Sequence, residues 1–435
     1  MSNRVPYQSQ SEKAQALRHQ AMDWYLLGET VTEVARRAGR SRQWVHNILN
    51  RFQAGGRDGL TTRSRAPHRV HNRTAQEIEE AVVRIRQTIL AGEDPILRYA
   101  GIGAAVIRSE LKRIGLVAPS PRTVNRILQR KGIQQPRRRQ LERKLPKDFP
   151  WPQVDQPNAL HLFDFVTRVP EGGTRFYGCH LLDQARRWPF LEIIPSKTSL
   201  LVSQFLVNAW QAIGIPHGIQ MDNDVVWRGS SSAMRTFSHI VRLCLAVGAE
   251  VIFTPPYTPE ANPIIESFNG VWASNFWRRT AFTDLEHVQQ ELPNFQTYYR
   301  HRHPLAEFEE RKPVELAPNF QPTLLSENFD LHLLERIPLT PGRIHFLCFA
   351  DPQATFRILN EKWTLPVELA NKTIRATVDT GKEQLRVYHQ TSPKETPDLV
   401  RTWDYPLGEI VQPLDPAFIR PRQLFWPELS HSADG

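Results

Sequence analysis

The most informative part of the sequence is the segment GIQMDND at residues 218–224, followed by FTPPYTPEANPIIESFNGVW at residues 253–272. An apolar run ends at Asp222, and a proline-rich loop then leads into a helix that begins after Asn262 and carries Glu266 near its start. Either acid alone has an ordinary explanation, because Asp222 could cap the next helix and Glu266 could simply complement a helix dipole. A third acid close by would indicate a shared site.

Asp164 is that third acid, in the segment HLFDFV at residues 161–166. Leu162, Phe163, Phe165 and Val166 surround it, so both faces of its strand are apolar, as in a central strand of a sheet. An ionised carboxylate is costly to bury there unless a positive group lies beside it. Arg186 or a divalent metal ion could provide that charge.

The pattern around these acids predicts a mixed sheet covered by helices on both faces. Three short apolar runs, ALHLFDFV, TRFYGCHLLD and WPFLEIIP, read as strands, and helices then alternate with the strands HGIQMD and AEVIFTPP. Two acids would end adjacent strands, and the third would lie on a helix packed against them. Three carboxylates can hold two Mg²⁺ or Mn²⁺ ions for phosphodiester chemistry, and no His/Cys cluster has zinc spacing.

The helix that carries Glu266 should have two distinct sides. Helical spacing gives it a core stripe of Ile265, Phe268, Trp272 and Phe276. Glu266, Asn269, Gly270 and Ala273 share the opposite side, and small residues beside a carboxylate leave room for a bulky ligand to approach.

Charge divides the chain into two halves. Residues 1–150 contain 29 Lys and Arg against 13 Asp and Glu, whereas the remaining residues contain 26 against 32. A basic half joined to a mildly acidic half indicates that one part holds a polyanion.

The basic half contains a first helix-turn-helix. After a helix at residues 12–27, a short helix at residues 32–38 is followed by a turn at Gly39, and Ser41 should cap a second helix. This second helix presents outward side chains suited to base edges and phosphates in a major groove: Arg42, Gln43, His46, Asn47 and Asn50.

A second helix-turn-helix follows a basic segment that includes Arg63 and Arg65. Its last helix, opened by Ser120-Pro121, should present Arg122, Thr123, Asn125 and Arg126. The next basic segment contains Arg137, Arg138 and Arg139, which we expect to lie along phosphates. Either helical unit could instead be a purely structural bundle, but two in tandem on a basic background favour DNA binding.

Other features bound the class of protein. Three scattered cysteines favour a reduced, cytoplasmic protein without a disulfide framework, and residues 1–13 do not resemble a signal peptide. No uncharged apolar run approaches the ~20 residues of a membrane span.

The three acidic segments, HLFDFV, MDND and PYTPEANPIIESFNG, resemble the catalytic blocks of the DDE transposases and retroviral-type integrases. The N-terminal half, with GLTTRSRAPHR and the second helix-turn-helix, is similar to bacterial insertion-sequence transposases, so the resemblance covers roughly residues 25–320. It implies a ribonuclease-H-like fold, with Asp164, Asp222 and Glu266 as catalytic ligands of two Mg²⁺ or Mn²⁺ ions. Asn223 would follow the second acid, and Asp183 with Arg186 matches a second-strand feature that we interpret as structural.

The sequence departs from this family in three places. Asp222 and Glu266 have 43 residues between them, a longer spacing than usual, and Asp224 is a rival to Asp222. Gly270 and Ala273 occupy positions where the family often has a lysine, so Arg278 and Arg279 are the expected substitutes as DNA contacts.

We therefore expect a multidomain α+β protein. The predicted domains are a first helix-turn-helix (12–56), a basic linker (57–73), a second helix-turn-helix (74–135), a basic linker (136–157), a ribonuclease-H-like catalytic domain (158–325), a small five-stranded β-barrel (335–395) and a Pro-rich tail (396–435) that wraps another domain or protomer.

The expected function is that of a transposase, which binds double-stranded transposon ends, cleaves a strand and joins the 3′-OH to target DNA. As a family inference, we expect a homo-oligomer on DNA in the bacterial cytoplasm, associated with the nucleoid and without a membrane partner. The alternatives are a DNA-binding regulator on a catalytically inactive transposase scaffold and a ribonuclease-H-type nuclease without joining activity.

Overall fold

A computed structural model of the chain describes residues 10–62, 74–133, 148–152, 154–223, 233–256, 258–329, 334, 336–392 and 395–421. These residues belong to two units, one within residues 1–73 and the other within residues 74–435. Each unit has its own hydrophobic core. Among the helices in these ranges, none is long and apolar enough to cross a membrane.

The N-terminal unit is the predicted helix-turn-helix region. Its helices are α1 (Gln10–Leu26), α2 (Val31–Ala38) and α3 (Arg42–Gly55). Gly39 adopts a φ of 62°, which lets the chain leave α2 in a tight turn, and the Ser41 side chain then accepts from the N–H of Trp44 to cap α3. Val34, Val45 and other apolar residues close the core between the helices. The predicted turn and cap are confirmed.

The second unit begins with another three-helix arrangement, made of α4 (Gln76–Ala91), α5 (Ala104–Arg113) and α6 (Pro121–Arg130). Ser120 caps α6 by accepting from the N–H of Thr123, and Pro121 occupies the first helical position, where no N–H is needed. Ile107, Val124 and Leu128 are buried between the helices. The predicted start of α6 at Ser120-Pro121 is therefore observed.

This three-helix arrangement packs directly on the rest of the second unit. Tyr99, in the connection between α4 and α5, donates a hydrogen bond to Glu291 and packs its ring edge-to-face against Phe295. The Arg302 guanidinium donates to both oxygens of Glu110 in α5, at 2.9 and 2.7 Å. Residues 74–133 thus share a core and ion pairs with the region that follows them.

The centre of the second unit is a mixed sheet. Its first strands are β1 (Leu160–Arg168), β2 (Phe176–Asp183), β3 (Trp188–Ile194), β4 (Gly218–Met221) and β5 (Glu250–Phe253). They lie in the order β3-β2-β1-β4-β5, with β1, β2 and β3 antiparallel and with β1, β4 and β5 parallel.

Helices cover both faces of this sheet. They are α7 (Ser199–Ile213), α8 (His239–Ala246), α9 (Pro263–Trp272), α10 (Leu285–Arg302) and the short α11 (Pro313–Leu316). Phe163 of β1 packs with α7 and α8 on one face, whereas Leu162 packs with α9 and α10 on the other. The predicted ribonuclease-H-like α+β core with a mixed sheet is confirmed, and Asp164 lies on the face of α9 because alternate residues of a strand share a face.

The C-terminal strands extend this sheet. They are β6 (Arg343–Phe349), β7 (Thr355–Ile358), β8 (Glu361–Thr364), β9 (Thr373–Asp379), β10 (Gln384–His389) and β11 (Asp398–Asp404). In the full nine-stranded order, β11-β10-β9-β6 continues from β5, and β7 pairs with β8 in a second sheet of two strands. The described residues therefore do not form the predicted separate five-stranded barrel.

A buried charged cluster accounts for this difference. The Glu250 carboxylate in β5 accepts from Arg343 Nε at 2.7 Å and lies 3.1 Å from His345 Nε2, both in β6. Burial favours a paired and hydrogen-bonded carboxylate over a single one, so β6 is fixed beside β5 at what would otherwise be an open sheet edge. These partners are 93 and 95 residues from Glu250 and leave no local pattern in the sequence.

The described part of the predicted tail belongs to the second unit. Its first segment is strand β11, paired with β10. Farther on, Glu409 accepts from Arg242 at 2.6 Å, and Arg420 donates to the carbonyl of Ile215 at 3.0 Å. The described part of this tail thus begins as a strand of the sheet, which the sequence pattern did not predict, and then contacts other elements of the same unit. Residues 422–435 lie outside the described ranges.

Candidate active site

Asp164 lies in the middle of β1, on the sheet face that α9 covers. Its Oδ1 accepts from the backbone N–H of Phe165 at 2.8 Å, and its Oδ2 accepts from the side-chain amide of Asn269 at 2.6 Å. The predicted neutralising partner Arg186 is instead hydrogen-bonded to Asp183 at 2.6 Å. Asp164 is therefore held by neutral donors, and its charge is not balanced by that arginine.

Asp222 follows β4 directly. The parallel register pairs Leu160 with Gly218 and Leu162 with Gln220, and continuing it by two residues places Asp222 opposite Asp164. Neighbouring strands are about 4.8 Å apart, so the two acids lie at the same edge of the sheet. Asp222 itself is exposed. Its rival Asp224 lies outside the described residues.

Glu266 lies in the first turn of α9, which starts with Pro263 at its N-terminus. The predicted core stripe of this helix is confirmed, because Ile265, Phe268 and Trp272 are almost completely buried. Glu266 is exposed on the other side of the helix. Proline fixes the helix start without losing a hydrogen bond, so Glu266 is held close to the sheet on a rigid element.

The electrostatics show that the three acids share one environment. Burial, and then the charges of Glu266 and Asp222, raise the pKa of Asp164 to about 7, although the two hydrogen bonds oppose this shift. Partial desolvation also raises the pKa of Glu266. Negative charge is thus concentrated at the site, because two carboxylates repel a third that is buried. A bound cation would reduce this repulsion.

The donor set fits a hard cation. It consists of carboxylate oxygens, which suit Mg²⁺ or Mn²⁺, and the described residues contain no His/Cys group of zinc type. Over the same ranges no three acidic or metal-ligating side chains are close enough together to form a ready ligand group. The chemistry of the three acids thus fits the predicted ions, and binding would require their carboxylates to come closer together.

Asn269 and His180 are two site residues that the sequence analysis did not single out for a role. The Asn269 carbonyl oxygen accepts from His180 Nδ1 at 2.7 Å, while its amide donates to Asp164. Burial lowers the pKa of His180 to about 4, so the imidazole is neutral. The position of Asn269, three residues after Glu266, was the available signal, because residues spaced by three share a helix face.

Asp183 and Arg186 have the structural role that was expected. Asp183 is completely buried at the end of β2 and accepts from Arg186 Nε at 2.6 Å and from the N–H of Asn158 at 3.0 Å. Arg186 also donates to the Asn158 side chain at 3.1 Å. The pair thus joins the β2–β3 turn to the segment that precedes β1 and does not reach Asp164.

The predicted DNA-contacting residues of α3 lie on its exposed side. Val45 and Ile48 face the core, whereas the following residues are exposed: Arg42, Gln43, His46, Asn47 and Asn50. The amide of Gln43 donates to Asn47 at 3.3 Å, so these two side chains lie side by side along one turn. These exposed side chains lie outside the core that the other side of α3 contacts.

The corresponding helix α6 has the same division. Val124, Ile127 and Leu128 are buried, whereas Arg122, Asn125 and Arg126 are exposed and Thr123 is half-buried beside the Ser120 cap. The basic segments that contain Arg63, Arg65, Arg137, Arg138 and Arg139 lie outside the described residues.

The two arginines after α9 have different surroundings. Arg278 is exposed, whereas Arg279 is half-buried and donates to the carbonyl of Arg98 at 3.0 Å. Burial lowers the pKa of Arg279. Of the two expected substitutes for the missing lysine, Arg278 therefore has the exposed guanidinium.

Comparisons with known proteins agree with this division of the chain. A family model described as "Winged helix-turn helix" matches residues 13–80, and a model described as "Integrase core domain" matches residues 247–309. The second match includes β5, α9 and α10, and hence Glu266.

Solved structures with low similarity include an intasome complex and two integrase catalytic core domains. The chain is 13% identical to a chain in the cryo-EM structure of the simian T-cell lymphotropic virus intasome in complex with PP2A regulatory subunit B56 gamma, over 67% of this chain and 91% of that chain, with a TM-score of 0.34. The chain is 14% identical to the BIV integrase catalytic core domain, over 37% of this chain and 93% of that chain, with a TM-score of 0.27. It is 11% identical to the HTLV-2 integrase catalytic core domain in complex with magnesium, over 37% of this chain and 96% of that chain, with a TM-score of 0.29.

The TM-scores of these structures are too low to support a conclusion about the fold. The comparison with known families therefore rests on the family models and on the observed sheet. A winged helix-turn-helix model matches the N-terminal unit, and an integrase core model matches the region of the ribonuclease-H-like sheet that carries Glu266. Together these two matches support a relationship to the DDE transposases and integrases.

Proposed function

We propose that the protein is a transposase that binds the ends of a DNA element, cleaves a strand at each end and joins the resulting 3′-OH to target DNA. The helix-turn-helix region and the integrase core support DNA binding and a transposase or integrase activity. The cleavage and joining steps, and the residues assigned to them, are our proposal.

One observation carries this proposal. After burial, the charges of Glu266 and Asp222 are the next causes that raise the pKa of Asp164, although the three acids come from separate parts of the chain, on two parallel strands and one helix. A structural role would place a positive partner beside the buried Asp164, as Arg186 is placed beside Asp183. Asp164 instead accepts from neutral donors and is repelled by two other carboxylates, which is the arrangement expected of a site that holds cations.

Asp164, Asp222 and Glu266 would hold two Mg²⁺ or Mn²⁺ ions. When bound, such a pair of ions stabilises the attacking and leaving oxygens of a phosphodiester displacement. The carboxylates must be ionised to bind these ions. Because the pKa of Asp164 is about 7, binding near neutral pH would release the proton from those molecules in which Asp164 is still protonated.

The protein contributes orientation. Asn269 holds the Asp164 carboxylate and is itself held by His180, so β1, β2 and α9 are tied together at the site. Gly270 lies one turn after Glu266, and the space around its Cα is open, which leaves room for a DNA backbone to approach the acids. Neither step requires a covalent link to the protein, because a hydroxyl group positioned for attack is sufficient.

DNA recognition would come from the helical regions. The exposed residues of α3 suit base edges, and the basic residues of α6 suit a second contact on the same end. We expect the protein to act as a multimer on DNA, since two ends must be joined to one target.

The test uses the full chain with labelled element-end DNA, an unlabelled target and Mg²⁺. We expect joined product from the wild type, and we expect Asp164→Asn to bind the end normally while losing product formation by at least about a hundredfold. Glu327→Gln, a change of an exposed acid elsewhere, serves as the control and should retain activity.

Two outcomes would overturn the proposal. End binding by the wild type without any chemistry would identify a DNA-binding regulator on an inactive scaffold. Cleavage of the end DNA without joined product would identify a nuclease.

A further inference from the structure

The helix after Glu266 changes its pitch. Residues Ala273–Trp277 form a π-helical turn at the end of α9, and the N–H of Arg278 donates to the carbonyl of Ala273, five residues earlier, at 3.1 Å. Such a turn uses one residue more than an α-helical turn. Arg278 is therefore found roughly 20° around the helix from Glu266, whereas an uninterrupted α-helix would place it roughly 120° away.

Arg168 lies on the same side of the site. It is four residues after Asp164 in β1, and alternate residues of a strand point to one face, so both side chains lie on the face covered by α9. Its guanidinium stacks over the ring of Trp272 in α9, 5.4 Å from the ring centroid. Arg168 is half-buried, and this contact fixes its direction.

A pair of stacked rings connects the two arginines. The Trp277 ring, in the residue before Arg278, stacks on the Trp272 ring that Arg168 covers, with centroids 6.1 Å apart. Burial, and then the charge of Arg278, lower the pKa of Arg168. Arg168 donates to the carbonyl of Thr167 at 2.7 Å, and over the described ranges neither guanidinium forms a salt bridge. Two neighbouring cations without an acidic partner repel each other, and an anion bound between them would remove this cost.

We propose that Arg168 and Arg278 together bind one phosphate of the DNA strand that reacts at Asp164, Asp222 and Glu266. The Cα atoms of Asp164 and Arg168 are about 13 Å apart along an extended strand. This distance is too long for contact with the reacting phosphate itself, so the pair binds a phosphate that flanks it. The proposal rests on the function proposed above, because it places the reaction at the three acids.

The π-helical turn is what brings this site together. It moves Arg278 to the Glu266 side of the helix, and Arg279 then turns inward to the carbonyl of Arg98. Arg279 is therefore a packing residue, and the phosphate site uses Arg278 and Arg168.

A binding experiment tests the pair without requiring catalysis. Affinity of the full chain for a duplex element end is measured against salt concentration for the wild type, Arg168→Gln, Arg278→Gln and the double variant. Loss of this one phosphate contact in the double variant should reduce the slope of log K against log salt by about 1 unit, and neither single variant should reduce it further. Arg278 is exposed, so its variant leaves the buried packing unchanged, and Arg357→Gln, at an exposed arginine on β7, is the matched control.

A second experiment locates the phosphate. Single methylphosphonate linkages, which lack the negative charge, are placed at each position around the cleavage site, and the rate of strand transfer is measured. At one flanking position we expect a loss of about tenfold or more for the wild type, and no further loss for the double arginine variant.

The two experiments separate the two proposals. An inactive wild type whose salt slope falls in the arginine variants and not in Arg357→Gln would refute the strand-transfer function and support the phosphate site. An unchanged slope, or an unchanged methylphosphonate profile in an active double variant, would overturn the phosphate site and leave the function intact.

Discussion

The side-chain amide of Asn269 donates a hydrogen bond of 2.6 Å to Oδ2 of Asp164. Asn269 is three residues after Glu266 on α9, whereas Asp164 is in the centre of β1, so this bond fixes the acid of the helix relative to the acid of the strand. His180 in β2 holds the other end of the same amide at 2.7 Å. The relative position of the acids thus depends on a neutral amide between them.

Replacing Asn269 by alanine should weaken metal use more than DNA binding. The Asp164 carboxylate would lose its donor, and groups that orient a ligand are worth about 10–100-fold in metal affinity. We expect the Mg²⁺ concentration for half-maximal strand transfer to rise by that factor, while end binding stays the same. Asn328→Ala, at an exposed position, should change neither, and an unchanged Mg²⁺ requirement in Asn269→Ala would contradict this role.

The raised pKa of Asp164 predicts how stability depends on pH without metal. The pKa of Asp164 is about 7 in the folded state and 3.8 in the unfolded state. The protonated carboxyl therefore contributes to stability in full below pH 3.8, and this contribution is lost as pH rises through 7. Asn cannot ionise, so the free energy of unfolding of Asp164→Asn should rise relative to that of the wild type as pH increases, by at most about 1.4 kcal/mol per pH unit. Denaturation with a chelator at pH 5 and pH 8 measures the difference, and a pH-independent difference would disprove it.

Local features of the fold were predictable from sequence. The cap at Ser41, the turn at Gly39 and the core stripe of α9 each depend on residues within a few positions of one another. The acids Asp164, Asp222 and Glu266 could be proposed as a set because strand ends and helix starts carry recognisable signals.

Contacts between distant residues were not predictable. Asn269 is 105 residues from Asp164 and 89 from His180, and nothing in the sequence specifies this pairing. The π-helical turn was hidden for another reason. Phe268, Trp272 and Phe276 are spaced by four, which suits an ordinary α-helix, so the pattern gave no sign that Arg278 would return to the Glu266 side.

Removing the Glu250 carboxylate should destabilise the second unit. Glu250 is almost completely buried between β5 and β6 with Arg343 and His345, and breaking a buried charged pair typically costs about 3–5 kcal/mol because the other charge is left unpaired. We expect Glu250→Ala to lower the free energy of unfolding in denaturant by that amount. Glu361→Ala, which removes a more accessible partner of Arg235, should cost less. Equal losses would show that the β5–β6 cluster has no special role.

The same cluster should make the second unit sensitive to acid. Burial lowers the pKa of His345 from 6.5 to about 4. The neutral ring therefore contributes to stability in full above pH 6.5, and this contribution is lost as pH falls toward 4. Hydrogen bonding and charge from His345 and Arg343 also hold the pKa of Glu250 low despite burial. Stability should therefore fall between pH 6.5 and 4, and a His345→Gln variant should show a weaker fall over this range.

Substitutions on α3 should reduce sequence-specific binding. The N-terminal residues of a recognition helix reach base edges, and each good contact contributes about 1–3 kcal/mol of discrimination. We expect Arg42→Ala or Asn47→Ala to weaken binding to the element end far more than binding to scrambled DNA at the same salt concentration. Gln53→Ala, near the exposed C-terminal end of α3, is the control. Equal weakening on both DNAs would indicate phosphate contacts only.

The rate of strand transfer by acid variants shows whether Asp164, Asp222 and Glu266 form one catalytic site. The parallel register places Asp222 opposite Asp164, so Asp222→Asn and Glu266→Gln should each reduce the rate by at least about a hundredfold while end binding persists. Asp224→Asn should retain most of the wild-type rate. Normal transfer by Asp222→Asn or by Glu266→Gln would contradict the assignment of these acids to one catalytic site.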